Sequence, residues 1–148
     1  MYQSLGRHEE ALRIKRDVYS RWLRLGGEEH QSTLVAALNY SSSLVDLQRF
    51  EEAKWLLRKT IPVARRVFGE DNELTLKMRK IYAMALYKDP AATLDDLREA
   101  VTTLEETTRT ARRVLGGAHP IVVAIEQSLR NARGALRARE TPAAPGSS

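Results

Sequence analysis

The chain has 148 residues, 43% of them hydrophobic and 29% charged, which suits one water-soluble globular domain and argues against a disordered chain. There is no cysteine, so a disulfide framework, a thiolate nucleophile and a cysteine-based zinc site are excluded. The net charge of +5, carried mostly by arginine, favours acidic partners. No apolar run approaches the roughly 20 residues that a spanning helix needs, and the opening MYQSLGRHEEA lacks the pattern of a signal peptide, so a cytoplasmic location is expected.

In chain order, Arg7 to Leu25 places Ala11, Leu12, Ile14, Val18, Trp22 and Leu25 at the three-to-four spacing of a helix with one buried face. Gly26-Gly27 supplies a stop, because glycine tolerates the left-handed conformation that closes many helices. Ser32 or Thr33 then caps a second helix reaching about Gln48. Phe50 opens a third, which runs to Phe68 with a bend expected at Pro62, where the amide is missing. Glu73 to Lys88 is a fourth, and Asp89-Pro90 reads as the start of the next, since aspartate caps and proline suits a first turn. That fifth helix closes at Gly116-Gly117, and a last one runs from Pro120 to about Arg139. No run alternates apolar and β-branched residues between turn signals, so an all-α fold is expected, with residues 1–138 as one helical repeat domain and 139–148, ending TPAAPGSS, as a flexible tail.

The organising feature is an internal repeat. Leu5 to Leu44 returns without a gap as Leu47 to Leu86, an offset of 42 that pairs Arg16 with Arg58, Arg24 with Arg66, Gly27 with Gly69, Thr33 with Thr75 and Tyr40 with Tyr82. A third copy follows at an offset of 47, pairing Glu52 with Glu99, Ala64 with Ala111, Arg66 with Arg113 and Gly69 with Gly116. The five extra residues fall within Asp89 to Thr93, lengthening the link or adding a turn to the fifth helix. Periods of this length mean helical arrays, whose units bury their apolar faces only against one another.

The phrases LGRHEEAL, LQRFEEAKWLL, LGGEEHQSTLVAALNYSSSL and ARRVLGGAHP resemble tetratricopeptide repeats of the 42-residue kinesin light chain type. Ser41 and Ala83 match the family's small position, Phe50 its aromatic, and Ala11, Ala53 and Ala100 its alanine. The resemblance implies a right-handed α-α superhelix of antiparallel helix pairs. The order is one orphan second helix preceded by the tail of a first helix in residues 1–5, two complete pairs, and a terminal capping helix. Arg130 falls at the small position of that last helix, as suits a solvated end. The orphan helix, with Leu12, Ile14 and Val18 uncovered, is expected to associate with a copy of itself or with upstream repeats.

The resemblance also implies that first helices line a concave groove for peptide segments, with Asn39 at the groove asparagine, whose amide both donates and accepts. Lys77, Lys80, Ile81, Met84 and Lys88 share one stripe of the fourth helix by their spacing and complete the candidate groove, while Gln127 and Asn131 would extend it. The competing reading is a solvated lysine face, with Asn39 bonded to its own scaffold. Trp22 and Trp55 read as packing anchors of the repeat seam, with a partner surface as the alternative. His30 and His119 sit in equivalent turns as capping residues, and no pair has the spacing of a helical metal motif. No phosphate loop, nucleophile elbow or convergent acid pair occurs.

The function expected is therefore a noncatalytic protein-interaction scaffold, with no cofactor and no metal, binding an acidic peptide with an apolar anchor. A regulatory repeat segment of a larger receptor or motor-associated protein is the alternative. Dispersed arginines and few groove aromatics argue against a nucleic-acid-binding repeat.

Overall fold

A computed structural model describes residues 2–141, with side chains from residue 6; the expectations for Met1 and for the tail from residue 142 lie outside the described residues. Among the described residues six helices follow one another: α1 (Tyr2–Gly26), α2 (Gln31–Asp46), α3 (Phe50–Phe68), α4 (Glu73–Tyr87), α5 (Leu94–Leu115) and α6 (Pro120–Glu140). No strand occurs among the described residues. Each helix packs against the next in sequence, which makes an all-α solenoid of antiparallel helix pairs.

The turns show why the repeat folds alike each time. Gly27, Gly69 and Gly116 hold φ values of +83°, +92° and +86°, a region that favours glycine, and each closes the helix before it. Three residues later His30, Asn72 and His119 cap the next helix. Nδ1 of His30 accepts from the Ser32 amide at 3.0 Å, Oδ1 of Asn72 from Leu74 at 2.8 Å, and Nδ1 of His119 from Ile121 at 3.1 Å. The cap of α2 is thus His30, not Ser32 or Thr33, because the chain turns into the helix before either hydroxyl reaches the end position.

Three further expectations are corrected. Residues 2–5 are not a separate helix tail but the first turn of α1, which is continuous to Gly26. Asp89-Pro90 does not start α5; Asp89 Oδ1 accepts from the Ala91 amide in a turn, and Thr93 caps a helix beginning at Leu94. The inserted residues therefore do both things expected of them: the link from α4 to α5 runs over residues 88–93 against 47–49 between α2 and α3, and α5 has 22 residues against 19 in α3. The α3 helix keeps its expected span, Phe50–Phe68, with Pro62 inside it. Finally, α2 ends at Asp46, and Gln48 takes a left-handed φ of +62° in the tight link to α3.

The core runs as one seam along the array, from Leu12 and Leu34 through Leu57, Leu76 and Leu86 to Leu104 and Ile125. Small side chains permit the close helix approach: Ser41, Ala53, Ala64, Ala83, Ala100 and Ala111 are all fully enclosed. Curvature follows from which helices meet. α2 touches α4 and α4 touches α6, whereas α1 and α3, and α3 and α5, do not approach one another. The α2–α4–α6 layer is the tighter one and hence the concave side.

Candidate peptide groove on the concave face

The concave layer carries a hollow of about 350 Å³ lined by Leu38, Asn39 and Ser42 of α2, Lys77, Lys80 and Ile81 of α4, and Pro120, Ile121 and Ala124 of α6. It exists because the exposed faces of three successive first helices tilt toward one another across the array. Four of the six candidate residues line it, namely Asn39, Lys77, Lys80 and Ile81. Met84 and Lys88 lie about one and two turns further along α4, half-buried and exposed respectively, and do not line the hollow.

Asn39 is exposed and Lys77 is exposed, while Lys80 is half-buried. Burial pushes the Lys80 ammonium below the ordinary lysine value, and the like charges of Lys77 and Lys88 add to the effect. None of these three lysines has a carboxylate within 4.0 Å among the described residues. Several arginines of the opposite layer do, as in Arg65 with Glu70 and Arg66 with Glu29. Ile81 is buried rather than presented, at 8% exposure, so it forms the floor, and half-buried Leu38 and Ile121 supply the accessible apolar wall. Gln127 and Asn131 do not enter the hollow; Gln127 Nε2 donates to Asn131 Oδ1 at 3.0 Å, and Arg130 donates to Gln127 Oε1 at 2.6 Å.

The convex side is held differently. Arg58 Nε of α3 donates to the hydroxyl of Tyr82 at 3.2 Å, and that hydroxyl donates to Glu99 Oε2 of α5 at 2.6 Å, joining three helices. Burial and the bond to Glu99 push the Tyr82 phenol up. Close by, Arg79 is buried, pairs with Glu70 at 3.6 Å and Glu106 at 3.4 Å, and has its Nε without a partner; desolvation and Arg65 hold its guanidinium below the usual value. Trp55 is not a seam anchor: it is 64% exposed, with the Lys59 ammonium 4.7 Å from its ring centre. Trp22 also reaches the surface, stacked on His30 at 5.2 Å between ring centres. No spacing rule could find this, because helical periodicity sets which stripe a residue is on and not whether a neighbour covers that stripe.

No helix among the described residues is long and apolar enough to cross a membrane. A search of the curated proteins finds no match. The family model of the tetratricopeptide repeat matches residues 1–65, which span α1, α2 and most of α3. That stretch is similar to the family, and with six helices packed in sequence the fold is an all-α, tetratricopeptide-like solenoid.

Proposed function

We propose that the chain is a noncatalytic interaction scaffold of the kinesin light chain type, whose concave face holds an acidic peptide segment with one apolar anchor. The observation that carries this reading is the pair Lys77 and Lys80 on one stripe of α4, neither with a carboxylate within 4.0 Å among the described residues, beside an apolar hollow and an exposed amide. The lysines set encounter and charge preference, Asn39 bonds the peptide backbone through donor and acceptor, and burial of the anchor against Leu38 and Ile121 supplies most of the desolvation energy. Lys80 adds to the preference, because a carboxylate beside it offsets both its desolvation and the repulsion of its neighbours.

An exposed ion pair contributes only about 0–1 kcal/mol, so single lysine replacements change little. The double replacement Lys77→Glu with Lys80→Glu is expected to weaken binding of a synthetic glutamate-rich peptide carrying one leucine by roughly tenfold and to flatten its salt dependence. Titration calorimetry at two ionic strengths reads both. Undiminished affinity in the folded double variant would remove the groove from the reading, and equal affinity for a single-stranded oligonucleotide would replace peptide by nucleic acid.

A further inference from the structure

Two clefts open on the convex side, one repeat apart, and one of them is filled by an arginine of the chain itself. The first lies between α1 and α3 with α2 as its floor, the second between α3 and α5 with α4 as its floor. Their linings correspond: Tyr19, Tyr40 and Glu52 of the first stand where the second has Ile61, Tyr82 and Glu99. In the second cleft the guanidinium carbon of Arg58 lies 5.8 Å from the centre of the Tyr82 ring, and Arg58 Nε donates to the Tyr82 hydroxyl at 3.2 Å. That hydroxyl donates in turn to Glu99 Oε2 at 2.6 Å. A guanidinium on a tyrosine ring beside a glutamate is therefore a fit that this cleft already displays.

The first cleft keeps the tyrosine and the glutamate but not the arginine. Arg16 is the counterpart of Arg58, and it is exposed, with its Nε 3.8 Å from Asp17 Oδ1. Tyr19 stands there instead, its ring centre 6.0 Å from that of Tyr40. The result is a hollow of about 470 Å³ whose apolar surface includes the rings of Tyr19, Tyr40 and Trp55, and whose charged lining residues are Glu51 and Glu52. No lysine or arginine lines it, and no cation lies over the Tyr40 ring among the described residues. Burial pushes the Tyr40 phenol up and the Glu52 carboxylate adds to this, opposed by the more distant Arg16 and Arg49, so the field of Glu52 reaches the ring. Glu51 and Glu52 are exposed and pair with Lys54 and Arg49 at 2.6 Å each; such exposed pairs exchange partners at little cost. Trp55 carries the Lys59 ammonium 4.7 Å from its ring centre, so a cation rests on an aromatic ring at both clefts.

We propose that the cleft between α1 and α3 binds an arginine side chain presented by a partner protein, its guanidinium stacked on Tyr40 and paired with Glu52. Aromatic faces attract cations, and a planar, weakly hydrated guanidinium stacks on a ring while its N–H groups reach a carboxylate. A lysine ammonium is a more strongly hydrated point charge and loses more on entering. The arginine stem lies against Leu44 and the Trp55 indole, as long cationic side chains do on apolar surface. This site takes a cation on the convex side and stands whether or not the concave groove takes an acidic peptide.

The test uses the 148-residue chain carrying Trp22→Phe, so that Trp55 is its one tryptophan and reports the cleft. Three Gly-Ser decapeptides are titrated to millimolar concentration at physiological salt, identical except for one central arginine, lysine or citrulline, the last being the neutral isostere of arginine. Trp55 fluorescence is expected to report the arginine peptide binding at least about threefold tighter than the lysine peptide, with no saturable change for citrulline. Glu51→Gln with Glu52→Gln should weaken the arginine peptide at least about fivefold, and Tyr40→Leu likewise, whereas Tyr40→Phe keeps the ring and most of the affinity. Circular dichroism checks that each variant is folded. Free arginine should bind more weakly than the peptide, because its own carboxylate meets Glu51 and Glu52. Three results would overturn the proposal: citrulline or lysine binding as tightly as arginine, affinity unchanged in both the glutamine and the leucine variants while they are folded, or free arginine binding more tightly than the peptide.

Discussion

Two buried hydroxyls show how an identical residue can be kept for shape alone. Thr33 and Thr75 occupy the same place in successive repeats, each 1% exposed or less, and the Oγ1 of each lacks a hydrogen-bond partner. The third repeat has Val122 there, fully buried. Valine matches threonine in outline and carries no polar group, and a buried hydroxyl without a partner costs about 1–3 kcal/mol. Thr75→Val is accordingly expected to stabilise the chain, by about 1 kcal/mol after allowance for relaxation, and Thr33→Val to act in the same direction. Denaturant unfolding at unchanged m-value measures it. A loss of stability in both variants would mean that water or a neighbouring carbonyl satisfies these hydroxyls in solution.

The helix ends carry the second scale, and α5 has the most complete one. The Thr93 hydroxyl accepts from the Asp96 amide at 3.1 Å while the Thr93 amide donates to Asp96 Oδ2 at 2.9 Å, a reciprocal box at the end of the lengthened link. The backbone bond from Thr93 holds the Asp96 carboxyl below its ordinary 3.8. A depressed folded value means that the box contributes fully above the ordinary value and loses its contribution as pH falls through the folded one. Thr93→Ala is expected to cost about 1 kcal/mol near neutrality. Asp96→Asn should remove that acid-side loss, which melting temperatures across the acidic range will show; an unchanged acid limb would place the titrating group elsewhere.

How much could be read in advance differs between helix ends and helix faces. The stops at Gly27, Gly69 and Gly116 follow from residue type, because a turn is settled by a few neighbouring residues, whereas the start of α2 was expected at Ser32 or Thr33 and is capped by His30. The start of α5 does not follow from residue type either, since Asp89 and Thr93 are both good caps and the choice rests on burying Ala92, at 3% exposure, whose carbonyl accepts from Arg139 at 2.6 Å. Ile81 was expected at the surface of the groove and is its floor, because the approach of α2 and α6 to α4 closes over that turn.

At the scale of the whole molecule, stability is a sum over neighbouring helices. α4 meets α3 and α5 and also touches α2 and α6, whereas α1 meets α2 alone. Hydrogen exchange should therefore be slowest in α4 and fastest in α1, with α6 between them. Equal protection in all six helices would show that the array opens only as one unit.

The sequence by itself determined the six helices, the period and the turns that repeat with it, since each rests on contacts within a few residues. Spacing also placed Lys77 and Lys80 on one stripe of a helix, while only the resemblance put Asn39 beside them. Only the tertiary structure decided which charges are spent and which are free. Arg66 and Arg113 are the same residue in the same motif, and each is neutralised by a carboxylate of the preceding turn, some forty residues away in the chain. Likewise Tyr82 bonds Arg58 and Glu99, while its counterpart Tyr40 lies against Tyr19 and the equivalent Glu52 turns to Arg49. A repeat sets the residues; the neighbour on each side sets what they do.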